Sequence, residues 1–182
     1  MIFESSPWKC DLLRMKQEII QYNNSKYFND DSSDAITIIE QAIFYSAFVI
    51  RKLIDCKTKV SDKVDTYTFK LKSIPPKNKI NFLYDITNSY NWDNSKSVTK
   101  PGAKICNWLI HSYVFFFGVN EENKIDSFYV SSDYDKNKYL YQVELYDWIK
   151  YMDFVGNDDI VNLVMKFDPQ HEDYVHKIKE TI

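Results

Sequence analysis

Lys104, Asn107 and His111 stand three and then four residues apart, the spacing that gathers side chains on one face of a helix. An ammonium group, an amide and an imidazole so arranged can hold a phosphate and move a proton, because imidazole titrates near neutral pH. The stripe belongs to Lys104-Ile-Cys-Asn-Trp-Leu-Ile-His111, which runs straight into the apolar stretch Ser112-Tyr-Val-Phe-Phe-Phe-Gly118. A second cation, Arg51, lies near the end of a long apolar segment, with Glu40 eleven residues earlier at nearly the same helical azimuth. Charges at the edge of an apolar surface are paired or functional. Arg51 therefore has two readings, an interhelical salt bridge or a phosphate ligand beside the His111 stripe. His111 likewise suits a helix C-terminus, where an imidazolium meets the dipole, or a core position bonded to backbone.

Other chemistries lack their residues. The three glycines stand singly at 102, 118 and 156, so there is no glycine-rich phosphate loop. His171 and His176 are five apart, and on a helix their imidazoles point about 140° from each other, too far to share a metal. Neither a metal nor a cofactor is expected. Cys10, Cys56 and Cys106 are odd in number and form no Cys-x-x-Cys pair, which suits reduced thiols in a cytoplasmic protein. Cys106 and His111 fall on different helical faces, so Cys106 reads as a packing residue.

The elements that must position the stripe follow from periodicity. Ser6-Pro7 opens a helix in which Trp8, Leu12, Met15, Ile19 and Tyr22 recur at helical spacing. After a polar break over 23–33, Ser33 or Asp34 caps a second helix to about Asp55, apolar nearly all round between Ala42 and Ile50 and so expected to be the most buried element. Tyr67, Phe69 and Leu71 alternate with Thr68, Lys70 and Lys72 as in a half-exposed strand that Pro75-Pro76 ends. A short helix over Ile80–Tyr84 and a loop over Asn91–Lys100 are expected next. Pro101 opens the polar-striped helix. Tyr113–Val119, Ile125–Ser131 and Tyr139–Leu145 then form a three-stranded meander, with the first strand buried. Helices are expected over Asp147–Phe154, from Asn157 with Ile160, Leu163, Val164 and Phe167 as its apolar face, and from Asp168-Pro169 onward. The prediction is one α+β domain over 1–182, with a helical core, a small antiparallel meander and C-terminal helices.

Bulk properties bound the class. Hydrophobic residues make up 45% and aromatics 16% of the 182 residues, which excludes a disordered chain. A net charge of −3 creates no global field toward nucleic acid or an anionic membrane. No apolar stretch approaches the roughly 18 residues that span a bilayer. The N-terminus lacks a basic region followed by an apolar run, so no secretory signal is expected. Lysines crowd the segment from Lys57 to Lys79, either as a solvated face or as a phosphate-binding edge.

Cys106-Asn107-Trp108-Leu109-Ile110-His111 resembles the motif of the HEPN superfamily, small helical domains of bacterial defence and toxin–antitoxin systems. The resemblance implies a metal-independent endoribonuclease. His111 would be general base toward the ribose 2′-hydroxyl and Asn107 its orienter, and a cation, Lys104 with Arg51, would stabilise the phosphorane. It also implies a homodimer whose two motifs face one cleft. Cys106 stands where the family carries arginine, and a thiol cannot clamp phosphate as a guanidinium does. Two functions are therefore expected of the chain: RNA cleavage at His111, or a non-catalytic protein-interaction module such as an adaptor, inhibitor or immunity protein. The second would use outward aromatics of Phe128-Tyr129-Val130 and Tyr139-Leu-Tyr141 as its binding face.

Overall fold

Pro7 in the first turn fixes the start of helix α1 (Ser6–Tyr22), whose Leu12, Met15 and Ile19 are buried on one side. In the computed structural model, which describes residues 2–28, 34–80, 86–170 and 173–181, a short helix α2 (Ser25–Phe28) follows, then the long helix α3 (Ala35–Asp55). Asp34 caps α3 by position without a side-chain hydrogen bond, and Ser33 lies outside the described residues. Ile39, Ile43, Ala47, Ile50 and Leu53 of α3 are fully buried. Each of the isoleucine and leucine side chains contributes roughly 1.5–3 kcal/mol by leaving water. The outer side of α3 is different: Ile36, Tyr45 and Phe48 remain exposed, so this helix lies in an outer layer rather than at the centre.

After helix α4 (Asp62–Asp65) come strands β1 (Thr68–Ile74) and β2 (Lys96–Pro101), helix α5 (Gly102–Ile110), strands β3 (Ser112–Val119), β4 (Ile125–Ser132) and β5 (Leu140–Glu144), and helix α6 (Leu145–Gly156). The fold is α+β. Its five-stranded antiparallel sheet has the order β2-β1-β5-β4-β3. Phe69, Leu71, Phe128, Val130, Tyr141 and Val143 face the helices and merge with them in one core. At its centre Trp148 of α6 donates its indole N–H to Ser46 Oγ of α3 at 3.1 Å, which satisfies the one polar atom of a fully buried ring. On the far side of the sheet, a smaller core gathers Ile74, Ile80, Tyr90, Val114 and Leu140, with Ile86 packed against it.

Four expectations are corrected. The meander over β3, β4 and β5 is present, but β1 and β2 extend it to five strands. Residues 96–101 are a strand rather than loop; an edge strand of lysine, serine and threonine that half-buries only Val98 and Lys100 carries little period-two signal. β3 is an edge strand in which Val114 alone is fully buried. The helices expected from Asn157 and Asp168 are instead the antiparallel hairpin β6 (Ile160–Asp168) and β7 (Asp173–Thr181). In Ile-Val-Asn-Leu-Val-Met-Lys-Phe nearly every position is apolar, so helical spacing is met by default, and the β-branched residues decide for strand. Asp168-Pro169 makes a turn in which Asp168 Oδ1 accepts the Gln170 N–H at 2.9 Å. The short helix expected over Ile80–Tyr84 falls largely outside the described residues.

Candidate functional site

Helix α5 is set between two strands by its first residue. The Gly102 N–H donates to the Tyr67 carbonyl at 2.8 Å, and the missing side chain lets α5 lie against the buried ring of Tyr151. Ile105, Cys106, Trp108 and Leu109 point into the core. Lys104 and Asn107 lie on its less buried side, and His111 follows the last helical residue. His111 is the residue that ends the helix: its N–H donates to the Asn107 carbonyl at 3.1 Å, its carbonyl accepts the Asp133 N–H at 3.2 Å, and its side chain is exposed. Asn107 is half-buried.

The cation of this stripe is already engaged. Lys104 Nζ lies 3.6 Å from Asp135 Oδ2 and 5.6 Å from the centre of the Trp108 ring. Asp135 sits in the turn between β4 and β5, where Trp108 Nε1 donates to it at 2.9 Å, Ser132 Oγ at 3.3 Å, and Lys138 Nζ approaches to 3.5 Å. Burial pushes its carboxyl upward and is the largest single influence. The Trp108 N–H, Lys104 and Lys138 together outweigh it and hold Asp135 below the usual carboxylate value. The turn is rigid. Tyr90 O–H donates to the Lys136 carbonyl at 3.0 Å, and Asn137 Oδ1 accepts the Ile80 N–H at 2.8 Å.

Arg51 approaches α5 from elsewhere. Its Nη2 is 2.9 Å from Asp55 Oδ1, one helical turn on, and its charge acts on Cys106, a residue about 140° around α5 from His111. Cys106 is fully buried, which raises its thiol pKa well above the ordinary value, and Arg51 opposes that only in part. Cys106 thus offers a buried thiol and no charge to an anion. Among the described residues no group of three His, Cys, Asp or Glu side chains could hold a metal ion. His171 lies outside them.

The lysine-rich segment is dispersed. Lys59 Nζ donates to the Phe3 carbonyl, Lys70 and Lys72 stand on exposed positions of β1, and Lys77 and Lys79 line a cavity of about 410 Å³ with Asn137. The tyrosine strands turn only part of their aromatic residues outward: Tyr139 is exposed and Tyr129 half-buried. Phe128 and Val130 are buried, Tyr141 stacks on Trp108 at 3.8 Å, and Tyr129 is held between Phe116 at 4.8 Å and Trp92 at 5.3 Å.

An apolar surface does exist, between α1 and α3. A groove of about 750 Å³ is lined by Met15, Tyr22, Ile38, Ala42, Phe44, Tyr45 and Phe48, with Arg14, Glu18 and Gln41 beside them. Tyr45 and Phe48 are stacked at 6.3 Å, and Trp8 meets Phe48 at 6.4 Å. The signal for it was in the sequence. A helix apolar nearly all round must expose part of that surface unless other elements enclose it. No helix among the described residues is long and apolar enough to cross a membrane. The chain matches no protein-family model, no curated protein and no solved structure.

Proposed function

We propose that this protein is a non-catalytic interaction module that takes an apolar helix of a partner protein into the groove between α1 and α3. The observation that carries the reading is the exposed aromatic lining of that groove, formed by Tyr45 and Phe48 and continued by Trp8. From Ile38 to Phe48 the α3 wall runs about 15 Å, nearly three helical turns. A helix laid between two others fits such a channel, with apolar residues one turn apart as anchors. In a toxin or defence system of the HEPN kind, this is the role of an adaptor or immunity component.

The His111 stripe supports this choice by what surrounds it. A phosphorane needs uncommitted positive charge beside the base. Lys104 faces Asp135, Arg51 faces Asp55, and Cys106 is a buried thiol.

The test compares wild type with Phe48→Asp, Tyr45→Asp and His111→Ala, each with unchanged circular dichroism. Partners are captured by cross-linking in a cell extract, and the cross-linked segments are mapped. The expected result is a partner joined through an apolar helix to α1 or α3, lost in both groove variants and kept in His111→Ala. Cleavage of an RNA pool in EDTA, with 2′,3′-cyclic phosphate ends and loss in His111→Ala, would overturn the reading in favour of a ribonuclease. A partner retained by both groove variants would overturn it as well.

A further inference from the structure

The hairpin of β6 and β7 follows directly on α6, and among the described strands each pairs only with the other. Its base is fixed: buried Lys9 of α1 donates to the Asp158 carbonyl and to Asp159 Oδ1, and buried Asp158 accepts the N–H and hydroxyl of Ser61, each at 2.6 Å. Beyond that base the apolar side chains meet water. Val161, Val164, Met165 and Phe167 are 57%, 42%, 44% and 47% exposed. A two-stranded hairpin alone in water is at best marginally stable, since it lacks both a third strand and a covered face. An apolar edge of this kind is a template for another strand.

The order of residues along β6 indicates which strand. Over residues 162–166 its polarity reads the same in both directions from Val164: Leu163 and Met165 come first, then Asn162 and Lys166; beyond them Val161, at a register shift, mirrors Phe167, and Ile160 mirrors Asp168. In an antiparallel pair centred on one residue, each position opposes its mirror image. The strand would therefore meet a copy of itself with apolar against apolar and amide against ammonium. β7 has no such centre. Pairing it with itself about its middle residue sets Lys177 against Lys177 and Val175 against Lys179.

We propose that two copies of this chain associate by antiparallel pairing of β6 with β6 about a two-fold axis at Val164, forming one four-stranded β7-β6-β6-β7 sheet. Leu163 and Met165 of both copies then share one face, because side chains alternate along a strand. Val164 meets Val164 on the other, flanked by two Asn162–Lys166 pairs. Backbone hydrogen bonds along the joined edges supply affinity, and the mirrored side chains supply register. This association is independent of the groove between α1 and α3.

Sedimentation equilibrium of the full chain over the micromolar range tests it, with circular dichroism to confirm folding. Wild type is expected to dimerise. Val164→Lys and Val164→Glu each place like charges opposite one another and should raise the dimer dissociation constant about tenfold or more. An equimolar mixture of the two should recover wild-type affinity as a heterodimer. Val175→Lys, at an exposed position of β7, should leave the dimer intact. A monomeric wild type overturns the proposal, as does a dimer that survives Val164→Lys or is lost equally in Val175→Lys. A mixture that stays monomeric overturns it too. Should the charged variants fail to fold, Val164→Cys in a Cys10→Ser background decides: sulfurs facing across the axis give a disulfide-linked dimer on mild oxidation that Cys10→Ser alone does not give, and its absence counts against the pairing.

Discussion

Trp108 and Asp135 meet at 2.9 Å, indole N–H to carboxylate, where α5 crosses the turn between β4 and β5. The contact makes the carboxylate part of the fold, because Asp135 is only 8% exposed and this donor is the largest of the influences that hold its carboxyl below the ordinary value. Trp108→Phe keeps a ring to stack on Tyr141 but removes the donor. We expect a loss of about 1–3 kcal/mol in urea unfolding, with His111 still exposed.

The same carboxylate sets a pH dependence. Its folded-state value lies below the ordinary 3.8, so the stability it contributes is present above 3.8 and is lost as pH falls through the folded value. Unfolding curves taken from neutral pH downward should show wild type losing stability in that acid range. Asp135→Asn should show a shallower loss there, since its amide has no proton to gain. Equal slopes for the two proteins would assign the acid sensitivity to other carboxylates.

Two glycines separate close approach from mere helix breaking. A Cβ on Gly102 would lie 2.5 Å from the ring of Tyr151, which is buried and donates its hydroxyl to the Val64 carbonyl. Gly102→Ala should cost about 1–3 kcal/mol through overpacking. A Cβ on Gly156 would lie 2.6 Å from Cδ2 and 2.7 Å from Cγ of Leu13, a half-buried side chain that must turn away as a whole. Gly156→Ala should lie within about 1 kcal/mol of wild type, because the helical preference of alanine offsets the contact. Thermal melts of the two variants measure the difference.

The three thiols should react in order of exposure. Cys10 is exposed, Cys56 accepts the Ile2 N–H and is half-buried, and Cys106 is fully buried with its thiol pushed well up. A disulfide reagent should titrate Cys10 within mixing and Cys106 only on unfolding. Rapid native-state labelling of Cys106 would show that α5 opens without global unfolding.

Lys9 joins α1 to the base of the hairpin, and with 5% exposure it depends on its two acceptors. Lys9→Met should lower stability by about 1–3 kcal/mol and speed amide exchange in β6. Asp158→Ala should do more, because it strands both the N–H and the hydroxyl of Ser61.

The helices were legible where apolar residues recur against a polar background, as in α1, α3 and α5, and the alternation of Phe69 and Leu71 with lysines gave β1. β2 was not legible, since its role is to close an edge and its side chains carry almost no pattern. The C-terminal strands failed for the opposite reason: Ile160 to Phe167 is so uniformly apolar that spacing cannot discriminate. At the site, Lys104 and Asn107 share the less buried side of α5 as their spacing implied, and His111 follows its last helical residue. Asp135, 27 residues from Trp108 along the chain, is invisible to any local reading, and it decides how much charge Lys104 has left to offer.

The sheet is joined at its middle by three residue pairs, Lys72–Gln142, Ser73–Tyr141 and Ile74–Leu140. On one side of that seam lies the β1–β2 pair, on the other the β3-β4-β5 meander, and each can assemble from nearby chain. The seam cannot. It waits until residues near 140 have been synthesised, while the inner faces of α1 and α3, made first, have no sheet to cover them. Long-range pairing of this kind sets the pace of folding. Mutations along the seam should therefore slow refolding more than they speed unfolding, and a nascent chain halted before β5 presents its apolar helices to chaperones.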